Sequence, residues 1–159
     1  MARAFADTFH WIALADRRDA WHATARRLTA GRGPDGFVTT DEVLIEFLTF
    51  FAEQGPRWRE SAVRLVQAVF DSPEVEVVPQ SRDSFRAGLD VYSRRPDKGY
   101  SLTDCVSMST MRRLGLTEVL SHDHHFAQKG SCWCTPARPR VDRSRRPWER
   151  PASPPVSLP

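Results

Sequence analysis

The sequence predicts an α/β fold built on a parallel sheet, and three observations carry that expectation. Short apolar or β-prone runs alternate with helical patterns along residues 4–121. Such alternation favours parallel strands joined by right-handed crossovers. Three aspartates, Asp7, Asp104 and Asp123, stand at junctions between these runs and helical patterns. Open α/β sheets gather ligands beyond the carboxyl ends of their strands, so acids at these points are candidates for a common crevice.

The elements follow in order. Ala4 to Ala6 is a short apolar strand ending in Asp7-Thr8, and Trp11-Ile12-Ala13-Leu14 begins a helical turn. Ala20 to Ala30 reads as a helix, and Gly31 to Gly36 as a turn by its Gly/Pro/Asp content. Phe37 to Thr39 makes a second strand, after which Thr39 and Glu42 form a capping-box pattern for a helix running to Gln54. Arg59 to Phe70 has helical periodicity, Val75 to Val78 is a third strand, and Gln80 to Tyr92 is an amphipathic helix. Thr103 is placed to cap a helix through Arg113, with Leu114-Gly115 as its exit and Leu116 to Ser121 as a fourth strand.

The chain has 159 residues, enough for one domain with a core and too few for two ordinary ones. Its net charge is +3, but Pro136 to Pro159 alone carries +4, which leaves −1 for the first 135 residues. The basic balance therefore belongs to the Pro/Arg-rich end, and a general basic patch for nucleic acid is not a property of the domain. The expected organisation is a folded domain over residues 1–131 and a tail over 132–159 without apolar periodicity, read as disordered. Three cysteines, Cys105, Cys132 and Cys134, form no disulfide framework. With no signal-like start and no apolar run of spanning length, the expected location is the cytoplasm.

Each candidate acid has an ordinary alternative. Asp7 would be costly at the end of a buried strand unless bonded or bound to a cation, but aspartate is also a favoured helix cap. Asp104 could be a first-turn acid favoured by the helix dipole. Glu46 shares a helical face with Glu42 and Glu53, which reads as solvated, although Val43 and Phe50 flank it. Asp123 could be a turn residue. Several acids in one crevice would repel without a cation, and oxygen donors favour a hard ion, Mg2+ or else Mn2+.

Taken together, Phe5-Ala6-Asp7-Thr8, Trp11 to Leu14, Thr39 to Glu46, Ser101-Leu102-Thr103-Asp104-Cys105-Val106-Ser107 and Asp123-His124-His125-Phe126 resemble the PIN-domain ribonucleases, in particular the VapC-type toxins of toxin-antitoxin systems. The resemblance covers about Ala4 to Gly130. It implies a three-layer α/β/α fold with a central parallel sheet of four to five strands. It also implies that Asp7, Glu46, Asp104 and Asp123 are the catalytic, metal-binding acids, with Thr8 as a hydroxyl supporting them. The implied activity is Mg2+-dependent cleavage of RNA to 5′-phosphate and 3′-hydroxyl ends. The implied partners are an RNA substrate, a cognate antitoxin and a second copy of the chain.

The sequence departs from the family pattern at Phe9, where many members carry a small polar residue. It departs again after Gly130, where Ser131-Cys132-Trp133-Cys134 and the Pro/Arg segment replace an apolar strand. A replaced ending would leave the edge strand absent or irregular, and would make a catalytically impaired module that keeps only antitoxin or RNA binding the alternative reading. A phosphatase or phosphoacceptor is disfavoured because Thr8-Phe9 follow Asp7 where Asp-x-Asp would be needed. His122, His124 and His125 with Cys132 and Cys134 suggest zinc, but Cys-x-Cys is tighter than structural zinc spacing. Arg17, Arg18, Lys98, Arg112, Arg113 and Lys129 are the local cations available for RNA phosphates.

Overall fold

The computed structural model describes residues 3–32 and 36–121, together with the backbone of Cys132 and Trp133. Five parallel strands form one sheet in the order β3-β2-β1-β4-β5, where β1 is Ala4–Ala6, β2 Phe37–Thr40, β3 Val75–Val78, β4 Glu118–Leu120 and β5 Cys132–Trp133. Helices α1 (Thr8–Ala15) and α2 (His22–Ala30) join β1 to β2. Helices α3 (Asp41–Phe51) and α4 (Pro56–Asp71) join β2 to β3, and α5 (Arg82–Arg94) and α6 (Leu102–Leu114) join β3 to β4. The six helices flank the sheet in the expected three-layer α/β/α arrangement.

The chain moves outward from β1 through β2 to β3, then returns to place β4 on the other side of β1. The sheet therefore reverses its winding between β1 and β4, and the crevice at that switch point is where doubly wound sheets bind ligands.

Burial explains the strand sequences. All residues of β1 and β2 are buried, so a central strand reads as continuously apolar rather than alternating. Edge strand β3 is only partly buried. Under the sheet, Phe47 and Phe51 pack edge to face at 5.2 Å, and Trp58 stacks on Phe51 at 5.2 Å. Trp11 is buried too, and its indole N–H donates to Thr39 Oγ1 at 3.2 Å while that hydroxyl donates to the carbonyl of Ala6 at 2.9 Å. These bonds tie α1 and β2 to the end of β1, directly before Asp7.

Two caps differ from the sequence expectation. Thr39 belongs to β2, and the cap of α3 is Thr40, whose hydroxyl accepts from the Val43 amide. The shift arises because Thr39 is occupied by Ala6 and Trp11. Helix α6 is capped by Ser101 rather than Thr103, in a reciprocal box with Asp104. Helix α3 also stops at Phe51, short of Gln54. At the far edge, Glu118 and Val119 pair with Cys132 and Trp133. The edge strand expected to be absent or irregular is thus present as a two-residue parallel strand.

Gly36 enters β2 at φ +65°, and a Cβ there would lie 2.0 Å from the carbonyl oxygen of Glu74, which itself accepts from the Phe37 amide. Gly115 caps α6 at φ +67° with open space around it. Gly115→Ala should therefore cost only the left-handed penalty of about 1–2 kcal/mol. Gly36→Ala should cost more, because backbone must also move at the β2–β3 junction. Thermal unfolding of the two variants checks this, and equal losses would contradict the steric account.

Candidate metal and catalytic centre

Asp7 leaves the carboxyl end of β1 and occupies the N-cap position of α1, yet its side chain makes no capping bond to the second or third residue of that helix, and only the backbone of the first, Thr8, supports it. The cap reading of this residue therefore does not account for its carboxylate. The residue is 2% exposed, and Ser121 Oγ donates to its Oδ2 at 2.8 Å. Burial, then the charge of Asp104, and to a smaller extent that of Glu46, push the Asp7 carboxyl up to about 8 from its ordinary 3.8. The Ser121 hydroxyl and the Thr8 backbone oppose the rise.

Glu46 is half-buried on α3, and the Thr8 hydroxyl donates to its Oε2 at 2.5 Å. The solvated reading from the helical wheel fails here, because three acids on one stripe meet different surroundings. Glu42 accepts from Ser84 Oγ at 3.2 Å, Glu53 is exposed, and Glu46 turns to α1 beside Asp7. Thr8 itself is buried.

Asp104 is half-buried in the first turn of α6. Its Oδ2 accepts from the Ser101 amide at 2.7 Å while its own amide donates to Ser101 Oγ at 3.0 Å. The cap and the electrostatic role coexist, since Asp104 is the strongest charge acting on Asp7.

The structure thus brings Glu46 and Asp104 each within electrostatic reach of Asp7 at the β1/β4 switch point. Among the described residues no three His, Cys, Asp or Glu side chains converge closely enough to enclose an ion. Asp123, the fourth expected acid, lies outside the described residues, as do His122, His124, His125, Cys134 and Lys129. The three described acids offer oxygen donors only, and one is a buried carboxylate that loses its charge readily without a cation. That donor set suits a hard divalent ion that keeps some of its waters.

Arg112 and Arg113 end α6, about 12 Å along the helix from Asp104 at 1.5 Å per residue, so they stand apart from the acids. Arg18 bonds Asp16 and lies over the Trp58 ring at 5.2 Å. His10, three residues beyond Asp7, is buried with its Nε2 3.2 Å from Thr29 Oγ1; burial and the charge of Arg32 push its imidazole down to about 4.

Ser121 was not among the residues singled out from the sequence. Its signal was present: a polar residue ends the fourth strand, and a parallel pairing of the first and fourth strands makes it a neighbour of Asp7. The observed register, Ala6 opposite Leu120, does so.

The PIN domain family model matches residues 4–131. The chain belongs to the PIN-domain family. Two curated relatives, the 23S rRNA-specific endonuclease VapC20 of Mycobacterium tuberculosis strains CDC 1551 and H37Rv, are each 30% identical over 126 residues, spanning 79% of this chain and 93% of theirs. The crystal structure of Mycobacterium tuberculosis VapC20, described as a sarcin-ricin loop cleaving toxin, has a TM-score of 0.73 and 29% identity, covering 81% of this chain and 96% of that one. The expectation of a PIN-domain endonuclease related to VapC toxins is met.

Proposed function

We propose that this chain is a metal-dependent endoribonuclease acting as the toxin of a toxin-antitoxin pair, with Asp7, Glu46, Asp104 and Asp123 as its acidic centre. The observation that carries the reading is the Asp7 carboxylate at the switch point, raised by its burial and then by the charges of Asp104 and Glu46. The relatives' 23S rRNA activity makes that RNA the first substrate to test.

Asp7 and Asp104 would be the central ligands of Mg2+ or Mn2+, with Glu46 as ligand or orienter and Asp123 as an outer member. When bound, such an ion neutralises charge on the scissile phosphate and makes a water a competent nucleophile. The protein's own part is positional. Ser121 holds one oxygen of Asp7, Thr8 holds one of Glu46, and the Ser101 amide holds one of Asp104, so all three acids are oriented by uncharged donors. Their negative charge is left available, and it would repel the RNA backbone unless a cation neutralised it. Hydrolysis with loss of the P–O3′ bond gives 5′-phosphate and 3′-hydroxyl ends. A cytoplasmic site of action, a cognate antitoxin and a second copy of the chain complete the reading. Among the described residues no helix is long and apolar enough to cross a membrane.

The test is cleavage of purified 23S rRNA with the full chain. Cutting should require Mg2+ or Mn2+, stop with chelator and return when the ion is restored. Cleavage that persists in chelator would refute the metal-dependent mechanism.

A further inference from the structure

Helices α1 and α2 do not close fully against each other over the end of β4. They leave a cleft with the half-buried Phe9, Trp21 and Leu28 at its mouth and the buried His10, Leu120 and Ser121 on its floor. The cleft adjoins the acidic centre directly. Phe9 follows Thr8, whose hydroxyl holds Glu46, and Ser121 on the floor donates to Asp7 Oδ2 at 2.8 Å. Among the described residues that line it none is an acid, lysine or arginine, and His10 is uncharged near neutral pH because burial and Arg32 push its imidazole down to about 4. A phosphate gains nothing from such walls beside three carboxylates, whereas an uncharged planar ring loses apolar surface to them. The hollow itself measures about 30 Å³, so a ring enters by its edge and lies against the side chains at the mouth.

We propose that this cleft is a nucleobase subsite, with Phe9 as the wall on which a base next to the scissile phosphate stacks. The inference rests on the nuclease reading above and deepens it. Single-stranded RNA is commonly read by splaying a base onto an aromatic side chain. RNA held with a phosphate at the acids has a base beside the cleft, because Ser121 belongs to both places and Phe9 is adjacent to Thr8. An antitoxin chain is under no such constraint. Phe9 is also where the sequence departs from the family pattern, so the aromatic wall is a feature of this chain. Every base has a π-face, so the subsite should require a base without selecting strongly among bases.

The experiment compares the wild-type full chain with Phe9→Ser and Phe9→Tyr. Once the wild-type cut in 23S rRNA is mapped, a single-stranded oligonucleotide spanning it is made intact and with an abasic site at each nucleotide flanking the scissile bond. Phe9→Ser should raise KM for the intact strand about 10-fold with kcat within about 2-fold, the scale of one lost base stack, and Phe9→Tyr should match wild type. One abasic strand should cost wild type the same factor and cost Phe9→Ser nothing further, which a merely structural role for Phe9 would not produce. An unchanged KM in Phe9→Ser, or equal abasic penalties in both chains, would overturn the proposal. An unchanged KM together with weaker binding of the cognate antitoxin would overturn it and give the cleft to the antitoxin. If the serine chain does not fold, Phe9→Leu, which keeps apolar bulk without a π-face, is set against Phe9→Tyr. If wild type cuts no RNA, a short single strand carrying a fluorescent adenine analogue is bound in Mg2+. Quenching that Phe9→Ser removes would support the subsite while the nuclease reading fails, and no binding would overturn both.

Discussion

Asp7→Asn should abolish RNA cleavage and at the same time make the metal-free protein harder to unfold. The two effects have one cause. A carboxylate buried beside Asp104 and Glu46 is held up to about 8, which means the ion-free fold disfavours its charge. Below pH 4 the group is protonated in both the folded and unfolded chain, and its interactions in the fold are retained in full. Between pH 4 and 8 the unfolded chain gives up the proton while the folded chain keeps it, so the folded state binds more protons and stability falls as pH rises. Each unit of difference corresponds to about 1.4 kcal/mol. Asparagine keeps the shape and can still accept from Ser121, but it has nothing to titrate. Its advantage in metal-free thermal unfolding should therefore be large at pH 8 and small at pH 5, with a rise of roughly 4 °C for each kcal/mol recovered in a domain of this size. Adding Mn2+ should reverse the order, stabilising wild type and leaving the variant unmoved. A variant that melts lower than wild type at pH 8 in chelator would show that the Asp7 charge is not a burden on the ion-free fold.

Much of this arrangement is legible in the sequence, because strand ends are marked by composition. The run Ala4-Phe5-Ala6 before Asp7 and the run Val119-Leu120 before Ser121 are apolar because central strands of a parallel sheet are covered on both faces. The alternation of elements gives the layers, and acids at strand ends give the candidate crevice. What the sequence hides is set by partners far away in the chain. Thr39 looks like a cap and is instead fastened to Ala6 and Trp11 inside the sheet, which moves the cap to Thr40. Glu42, Glu46 and Glu53 are equivalent on a helical wheel; only the packing of α1 against α3 distinguishes the one that meets Thr8. Ser121 is silent by itself, since its meaning depends on which strand lies next to β1. The residues after Gly130 broke the family pattern, yet Cys132 and Trp133 still pair with β4, because a strand edge needs backbone groups more than a particular composition.

Asp104→Asn and Asp104→Ala together separate the two jobs of that residue. Asp104 closes the capping box of α6 by accepting from the Ser101 amide, and it is also the largest charge contribution to the raised Asp7 carboxyl. Asparagine retains an acceptor oxygen for the Ser101 amide and loses only the charge. Its loss of attraction to the helix N-terminus, about 0.3–1 kcal/mol, is opposed by relief of repulsion on Asp7, so metal-free stability should stay near wild type. Alanine loses the box as well and should be less stable by about 1 kcal/mol. Both should lower cleavage by at least about 100-fold, equivalent to about 2.7 kcal/mol of transition-state stabilisation. Both should also lower the upper end of the pH range over which metal-free stability declines, and so reduce the total loss, because removing Asp104 eases ionisation of Asp7 in the folded chain while the unfolded chain still gives up its proton near pH 4. Full activity in the asparagine variant would reduce Asp104 to a cap. Activity lost in alanine but kept in asparagine would locate its contribution in the geometry of α6 rather than in charge. The asparagine chain decides between these because it changes the charge at one carboxylate and leaves the hydrogen-bonding geometry of the helix start intact.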